Sequence, residues 1–127
     1  MTTGSDVDQV CELAQRMPAA TREYPFGPEA AVFKVGGKMF ALVSQDGPEY
    51  VTLKVDPDDG LALRAEYSHI REGHYMNKHH WVTIDLGPDA EMTQVIELVE
   101  DSYALVVATL TKKLRAELGF VVDETAS

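Results

Sequence analysis

A chain of 127 residues, 45% apolar and 25% charged, has the size and balance of one globular domain and not the composition of a disordered segment. It can bury roughly two thirds of the surface its unfolded form exposes, so it needs neither disulfides nor a metal to fold. Its 11 Lys+Arg against 21 Asp+Glu leave a net charge of −10, which excludes a general nucleic-acid coat protein and disfavours attachment to an anionic membrane surface.

A single cysteine, Cys11, excludes an internal disulfide framework and a multi-cysteine metal site. It falls in an apolar helical stripe and reads as a small core residue. No apolar run reaches the ~18 residues of a transmembrane helix. Met1-Thr2-Thr3-Gly4-Ser5-Asp6 has neither the basic start nor the apolar middle of a signal peptide. A cytoplasmic protein is expected, with one domain over residues 5–120 and tails at 1–4 and 121–127.

Ser5 and Asp8 have capping-box-like spacing, and Val7, Val10, Cys11, Ala14 and Met17 recur at helical intervals until Pro18 ends the run. The prolines and glycine between Pro18 and Pro28 predict a rigid, irregular connector. Ala31–Val35 and Lys38–Val43 flank Gly36-Gly37, which suits a two-residue hairpin turn. Asp46-Gly47-Pro48 then turns into Tyr50–Val55, where Val51, Leu53 and Val55 share one face and Tyr50, Thr52 and Lys54 the other. Asp56-Pro57-Asp58-Asp59 reads as a helix start, with an N-cap, a proline at the first helical position and acids at the positive end of the dipole. That helix is expected to reach about Tyr67.

Ser68–His80 is polar and rich in histidine, and Trp81–Leu86 alternates again with Val82, Ile84 and Leu86 on one face. Met92, Ile96, Val99, Tyr103, Val106, Leu110 and Leu114 predict one long helix, from near Gly87-Pro88 to Lys112, Lys113 and Arg115, whose charges would suit its negative end. Ile96, Val99, Tyr103 and Val106 are expected to pack on the sheet face that carries Val51 and Leu53. The connections between the first strands are too short for parallel crossovers. The fold expected is therefore α+β: a two-layer domain, an antiparallel sheet with helices on one face, in the order α-β-β-β-α-β-β-α.

All four histidines, His69, His74, His79 and His80, fall within one polar segment that also holds Arg71, Asn77, Lys78 and Trp81. A solvated loop on a sheet edge is the plain explanation. A binding surface is the functional one, because imidazole, guanidinium, amide and indole groups converge where they can meet phosphate, nucleobase or another planar anion. A metal site is not expected: His74 and His79 are spaced for opposite faces of a strand, and neither HExxH nor CxxC accompanies them. Ser44, Ser68 and Ser102 lack the Gly-x-Ser-x-Gly setting of a nucleophile. Gly36-Gly37-Lys38 matches a phosphate loop in letters only, since a strand and not a helix follows. The pairs Asp58-Asp59 and Glu100-Asp101 diverge on their helices and read as solvated surface.

Several stretches occur together in a recognisable order: Tyr24-Pro25-Phe26-Gly27, Phe33-Lys34-Val35-Gly36-Gly37-Lys38-Met39-Phe40-Ala41, Thr52-Leu53-Lys54, Tyr75-Met76-Asn77-Lys78-His79-His80-Trp81, Asp101-Ser102-Tyr103 and Lys112-Lys113-Leu114. In this the chain resembles the MmcQ/YjbR family over roughly Val7 to Leu118, most sharply at Met76–Trp81. It departs in having Tyr75 where the family commonly has His, and Thr111 where it commonly has Pro. The resemblance implies a two-layer fold similar to secretion-chaperone-like domains. The family carries a DNA-binding label and no settled activity, so the resemblance implies DNA as a partner only by analogy of fold.

The expectation is then a small, non-enzymatic, cofactor-free binding protein. Arg71, Asn77, Lys78, His79 and His80 would contact phosphates or bases, and Trp81 would stack or anchor its strand. Lys34, Lys38 and Lys54 would extend that surface if the open face of the sheet is exposed. The alternative is a protein- or small-molecule-binding module with an apolar groove made by Trp81, Tyr75 and the Pro18–Pro28 connector.

Overall fold

The computed structural model describes residues 6–45, 48–73 and 76–120. Its first element, α1 (Asp6–Arg16), buries Val7, Val10, Cys11 and Ala14, the stripe expected from their spacing. Ser5 and the Asp46-Gly47 part of the expected turn lie outside the described residues. The Pro18–Pro28 segment is not wholly irregular. It contains a short strand, β1 (Thr21–Glu23), paired antiparallel with β2 (Ala30–Val35). Three residues are too few to show an alternation, and this strand exists because the edge of β2 offers backbone partners.

β2 continues through Gly36-Gly37 into β3 (Lys38–Ser44). Both glycines have positive φ, 60° and 81°, as a type I′ turn requires. Gly36 is constrained a second time, because a Cβ there would come within 2.8 Å of the Leu110 methyls. Next come β4 (Tyr50–Lys54), α2 (Pro57–Glu66), β5 (Ile70–Glu72), β6 (Trp81–Asp85), α3 (Met92–Thr109) and α4 (Lys112–Glu117). The Asp56 carboxylate accepts from the Asp58 backbone N–H at 3.0 Å, and Pro57 opens α2 as expected.

The strands form one antiparallel sheet in the order β1-β2-β3-β4-β6-β5. Cross-strand register puts Ala31, Phe33, Val43, Val51, Leu53, Val82, Ile84 and Ile70 on one side. All are buried, in one cluster with the inward residues of α1 and α3. α1 and α3 lie over β2 and β3, α3 also over β4, and α2 over β5 and β6. Val32, Thr52 and Thr83 face the other way and are outside that cluster although buried. The result is the two-layer α+β arrangement anticipated, with an open sheet face.

The last helical region departs from expectation in three ways. α3 starts at Met92 rather than near Gly87-Pro88. It also ends at Thr109, because Leu110 and Thr111 are extended (ψ 150° and 157°) and the Thr111 hydroxyl caps a new helix by accepting from the Leu114 N–H at 3.0 Å. Lys112 and Lys113 therefore stand in the first turn of α4, not at a helix C-terminus. The apolar stripe hid the break, since Leu110 and Leu114 both still pack on the core. Finally, the buried line of α3 is Val95, Val99, Ser102 and Val106. Val99 and Val106 are where expected, whereas Ile96 is half-exposed and outside the core cluster. Tyr103 sits at the margin, edge-on to Phe40 with ring centroids 5.2 Å apart, and its hydroxyl donates to the Pro18 carbonyl. Among the described residues, no helix is long and apolar enough to cross a membrane.

A polar residue on the inner line of α3 is explained by the sheet. Phe33 pairs with Ala41 and Lys34 with Met39, so Phe40 is an extra residue in β3. The β3–β4 register runs only to Ala41 opposite Leu53. Beyond it the fully buried Ser102 hydroxyl donates to the Phe40 carbonyl at 2.6 Å and accepts from the Lys54 N–H at 2.9 Å. Ser102→Ala would leave both backbone groups without that partner, at about 2–4 kcal/mol against a typical margin of ~5–15 kcal/mol. Urea unfolding should show a clearly lowered midpoint with an unchanged slope; a wild-type midpoint would mean that the two strands close the gap unaided.

Candidate functional site

The stretch that leads from β5 to β6 is organised by backbone contacts. Gly73 donates its N–H to the Trp81 carbonyl at 3.0 Å, and a Cβ on Gly73 would lie 2.6 Å from Trp81 Cβ, so the two strands approach here as only glycine allows. Asn77 accepts from the His79 N–H through its side-chain oxygen at 2.8 Å and from the His80 N–H through its carbonyl at 3.2 Å, which closes a turn. The His80 carbonyl accepts from the Val55 N–H at 2.8 Å, tying this turn to the end of β4. Asn77 is thus a turn former, while Lys78, His79 and His80 are carried at the surface. His74 and Tyr75 lie outside the described residues.

Trp81 is half-buried and begins β6 on the open face, directly opposite Lys54. Beyond them Thr52 and Thr83 pair, their hydroxyls 3.0 Å apart, and then Tyr50 stands opposite Asp85. The open face between β4 and β6 is therefore a ladder with a cation and an indole at one end and a phenol and a carboxylate at the other. Four residues of strand, roughly 13 Å, separate the ends.

Arg71 does not join the cationic end. It is opposite Thr83, and its guanidinium reaches Asp85 in a bidentate pair, Nε to Oδ2 at 2.9 Å and Nη2 to Oδ1 at 2.7 Å. The hydrogen bond to Asp85 holds the guanidinium proton more tightly than usual. Both groups are about half exposed, so the pair orients Arg71 more than it stabilises the fold. The three lysines also divide. Lys34 pairs with Glu23 at 3.2 Å. Lys38 reaches the helix layer, donating to the Thr109 hydroxyl at 3.2 Å, and does not extend the open face as expected. Lys54 is on that face.

The histidines, close in sequence, are split by the sheet. His79 and His80 are at the Trp81 end. His69 precedes β5 at the Asp85 end, edge-on to Tyr67 with centroids 5.8 Å apart, and its buried Nε2 has no hydrogen-bond partner among the described residues. His69 borders two clefts: one of about 250 Å³ with Ser68, Asp85, Gly87, Pro88 and Asp89, and one of about 110 Å³ with Tyr67, Asp89, Glu91 and Gln94. A third of about 430 Å³ lies between α2 and α3. Trp81 lines none of these three. The connector does not flank Trp81 either. β1 is four strands from β6 in the sheet, roughly 19 Å, so the groove expected from Trp81 together with Pro18–Pro28 is not built.

Sequence reasoning grouped residues by their distance along the chain, and that grouping misplaced Arg71 and His69. The residue it underweighted is Lys54. The alternation Tyr50-Thr52-Lys54 signalled the open face, but nothing in the sequence signalled which residue of β6 stands opposite.

A family model described as YjbR matches residues 15–105. The chain belongs to the YjbR family. It is 39% identical over 102 residues to the uncharacterised protein YbdF of Escherichia coli O157:H7, covering 80% of this chain and 84% of that one. It is 27% identical over 110 residues to the uncharacterised protein YjbR of Escherichia coli K12, covering 86% and 93%. The crystal structure of protein DR2400 of Deinococcus radiodurans, a DUF419 domain, superposes with a TM-score of 0.84 at 36% identity over 95% of this chain and 94% of that one. A Pseudomonas syringae protein superposes with a TM-score of 0.65 at 29% identity, covering 77% and 96%. The YjbR match contains the whole stretch from Lys54 to Trp81 and ends within α3, three residues after Ser102.

Among the described residues, no three His, Cys, Asp or Glu side chains form a group able to hold a metal ion. A strong chelator should leave the thermal unfolding midpoint unchanged. A fall on chelation would bring His74 into consideration as a ligand with His79 or His80.

Proposed function

We propose that this YjbR-family protein binds DNA, as a short single-stranded segment laid on the open sheet face at its Trp81 end. The observation that carries the reading is the β4–β6 register, which sets Lys54 beside Trp81 and delivers Lys78, His79 and His80 to the same end through the Asn77 turn. Single strands are held by backbone-tracking cations together with an aromatic platform, and an open antiparallel sheet can present both. The net charge of −10 confines such contacts to one patch. Asn77 acts by shaping the turn. Arg71, committed to Asp85, contributes little unless the ligand displaces that carboxylate.

The same reading makes the protein a binder and not an enzyme. The Ser102 hydroxyl is consumed between Phe40 and Lys54, and the Ser44 hydroxyl donates to the Pro48 carbonyl at 2.9 Å, so neither is poised as a nucleophile.

Trp81 is the sole tryptophan, so intrinsic fluorescence reports on the site directly. Adding a short oligothymidylate at low salt should quench it. With about three phosphates neutralised at ~0.7 per contact, log K should fall by about 2 per decade of salt. Lys78→Ala and Lys54→Ala should each flatten that slope by about 0.7. His79→Ala with His80→Ala should weaken binding further, since both side chains stand exposed at the same end of the face. Unchanged Trp81 fluorescence at low salt, or a salt slope indifferent to Lys54 and Lys78, would overturn the proposal.

A further inference from the structure

The helical layer is not continuous. α2 rests on β5 and β6, while α3 lies on β2, β3 and β4 and against α1. Between α2 and α3 an open groove of about 430 Å³ has Ala104, Leu105 and Ala108 of α3 as its floor. Its walls carry Asp56 and Asp59 on the α2 side and Asp101 on α3. All three carboxylates are exposed, as are Ala104 and Ala108, while Leu105 is half-buried.

Two properties define what fits. Ala104 and Ala108 are one helical turn apart and have no side chain beyond Cβ, so a second helix can approach α3 closely along that line. Among the described residues the three carboxylates form no ion pair, and that of Asp56 accepts from the Asp58 backbone N–H. Glu97 and Glu100, exposed on α3, add to the same negative field. The surface is therefore a narrow apolar floor between acidic banks.

We propose that this groove receives a helix from a partner protein, amphipathic and cationic, with small apolar residues against Ala104, Leu105 and Ala108 and Lys or Arg against Asp59 and Asp101. Charge complementarity specifies the partner. A second copy of this chain is a poor occupant. The apolar stripe of α1 is buried, and Leu114 of the lysine-bearing α4 and Leu118 just after it are packed on their own core. The groove is on the helix side of the sheet and borders the open face proposed for DNA at the end of β4, where Asp56 follows Lys54 by two residues.

The test uses the full chain and a synthetic amphipathic helix of lysine, leucine and alanine, titrated at low salt with amide chemical shifts as readout. The largest changes should fall on Ala104, Leu105 and Ala108. Asp59→Lys with Asp101→Lys should weaken binding by about tenfold or more, through like charge across the contact. Glu12→Lys with Glu117→Lys changes the net charge equally at exposed positions outside the groove and should leave binding within about twofold, as expected for screened remote charges. Equal weakening by both pairs would show attraction by net charge alone and overturn the proposal. So would shifts clustered away from α3, absence of binding, or a self-associated form that the helix cannot displace.

Discussion

Where the β3–β4 ladder passes Ala41 and Leu53, the next backbone groups are joined through the hydroxyl of Ser102, which takes the N–H of Lys54 and gives its proton to the carbonyl of Phe40. The rest of the layer packing depends on this splice. It allows β3 to carry an extra residue, turning the Phe40 ring toward Phe33 and Tyr103 without stranding buried backbone groups. It also sets the rotation of α3, because a helix whose Ser102 must reach between two strands has Val95, Val99 and Val106 directed at the sheet. Tyr103, the next residue, then lies at the margin, where its hydroxyl holds the Pro18 carbonyl and fixes how the chain leaves α1. Burial raises the affinity of that phenol for its proton, so the contact persists through neutral pH and is lost only as alkaline pH ionises the group.

The splice connects the core to the open face. Lys54 is held by its backbone from the helix side, while its side chain belongs to the opposite side beside Trp81. The other end of the patch is held as firmly, since Val55, the next residue, donates to the His80 carbonyl. Two consecutive residues, the last of β4 and the one that follows it, thus position the lysine, the tryptophan and the end of the Asn77 turn. Sites built on strand ends with backbone ties keep their geometry better than long free loops, and here the exposed cations are only a few bonds from such ties.

Periodic features were legible in the sequence, and features made by contact were not. The α1 stripe, the Gly36-Gly37 hairpin, the Asp56-Pro57 helix start and the alternation of β4 and β6 each follow from local chemistry, and each is present. β1 escaped because three residues carry no period and are ordered by the edge of β2. The break before α4 escaped because Leu110 and Leu114 stay apolar across it, and the signal was the single Thr111 cap. The inner line of α3 was misread by a fraction of a turn because Ser102 looks like a surface residue until Phe40 and Lys54 are opposite it. At the site, sequence proximity suggested one cluster from Arg71 to Trp81. Antiparallel pairing instead sends Arg71 to Asp85 and leaves His69 at that far end, while bringing in Lys54 from a strand many residues earlier.

The charge distribution makes sense of a chain whose net charge is −10 and whose open face nevertheless gathers cations. Several of its cations are spent locally: Arg71 on Asp85, Arg64 on Glu72, Lys34 on Glu23 and Lys38 on Thr109. Lys54 and Lys78 form no ion pair among the described residues, and both are at the Trp81 end. On the helix side the balance is reversed, with Asp56, Asp59 and Asp101 around a floor of Ala104, Leu105 and Ala108, none of the three in an ion pair among the described residues. Asp56 follows Lys54 by two residues, so their Cα atoms are at most about 7 Å apart, inside a Debye length of roughly 8–10 Å; the pleat of β4 puts the Lys54 side chain on the open face, and the two regions border each other at that strand end. Such a distribution would draw an anionic ligand to one edge of the open face and a cationic helix to the groove. The two proposed specificities, opposite in charge, thus meet at the end of β4, where Lys54 faces one way and Asp56 opens α2 on the other.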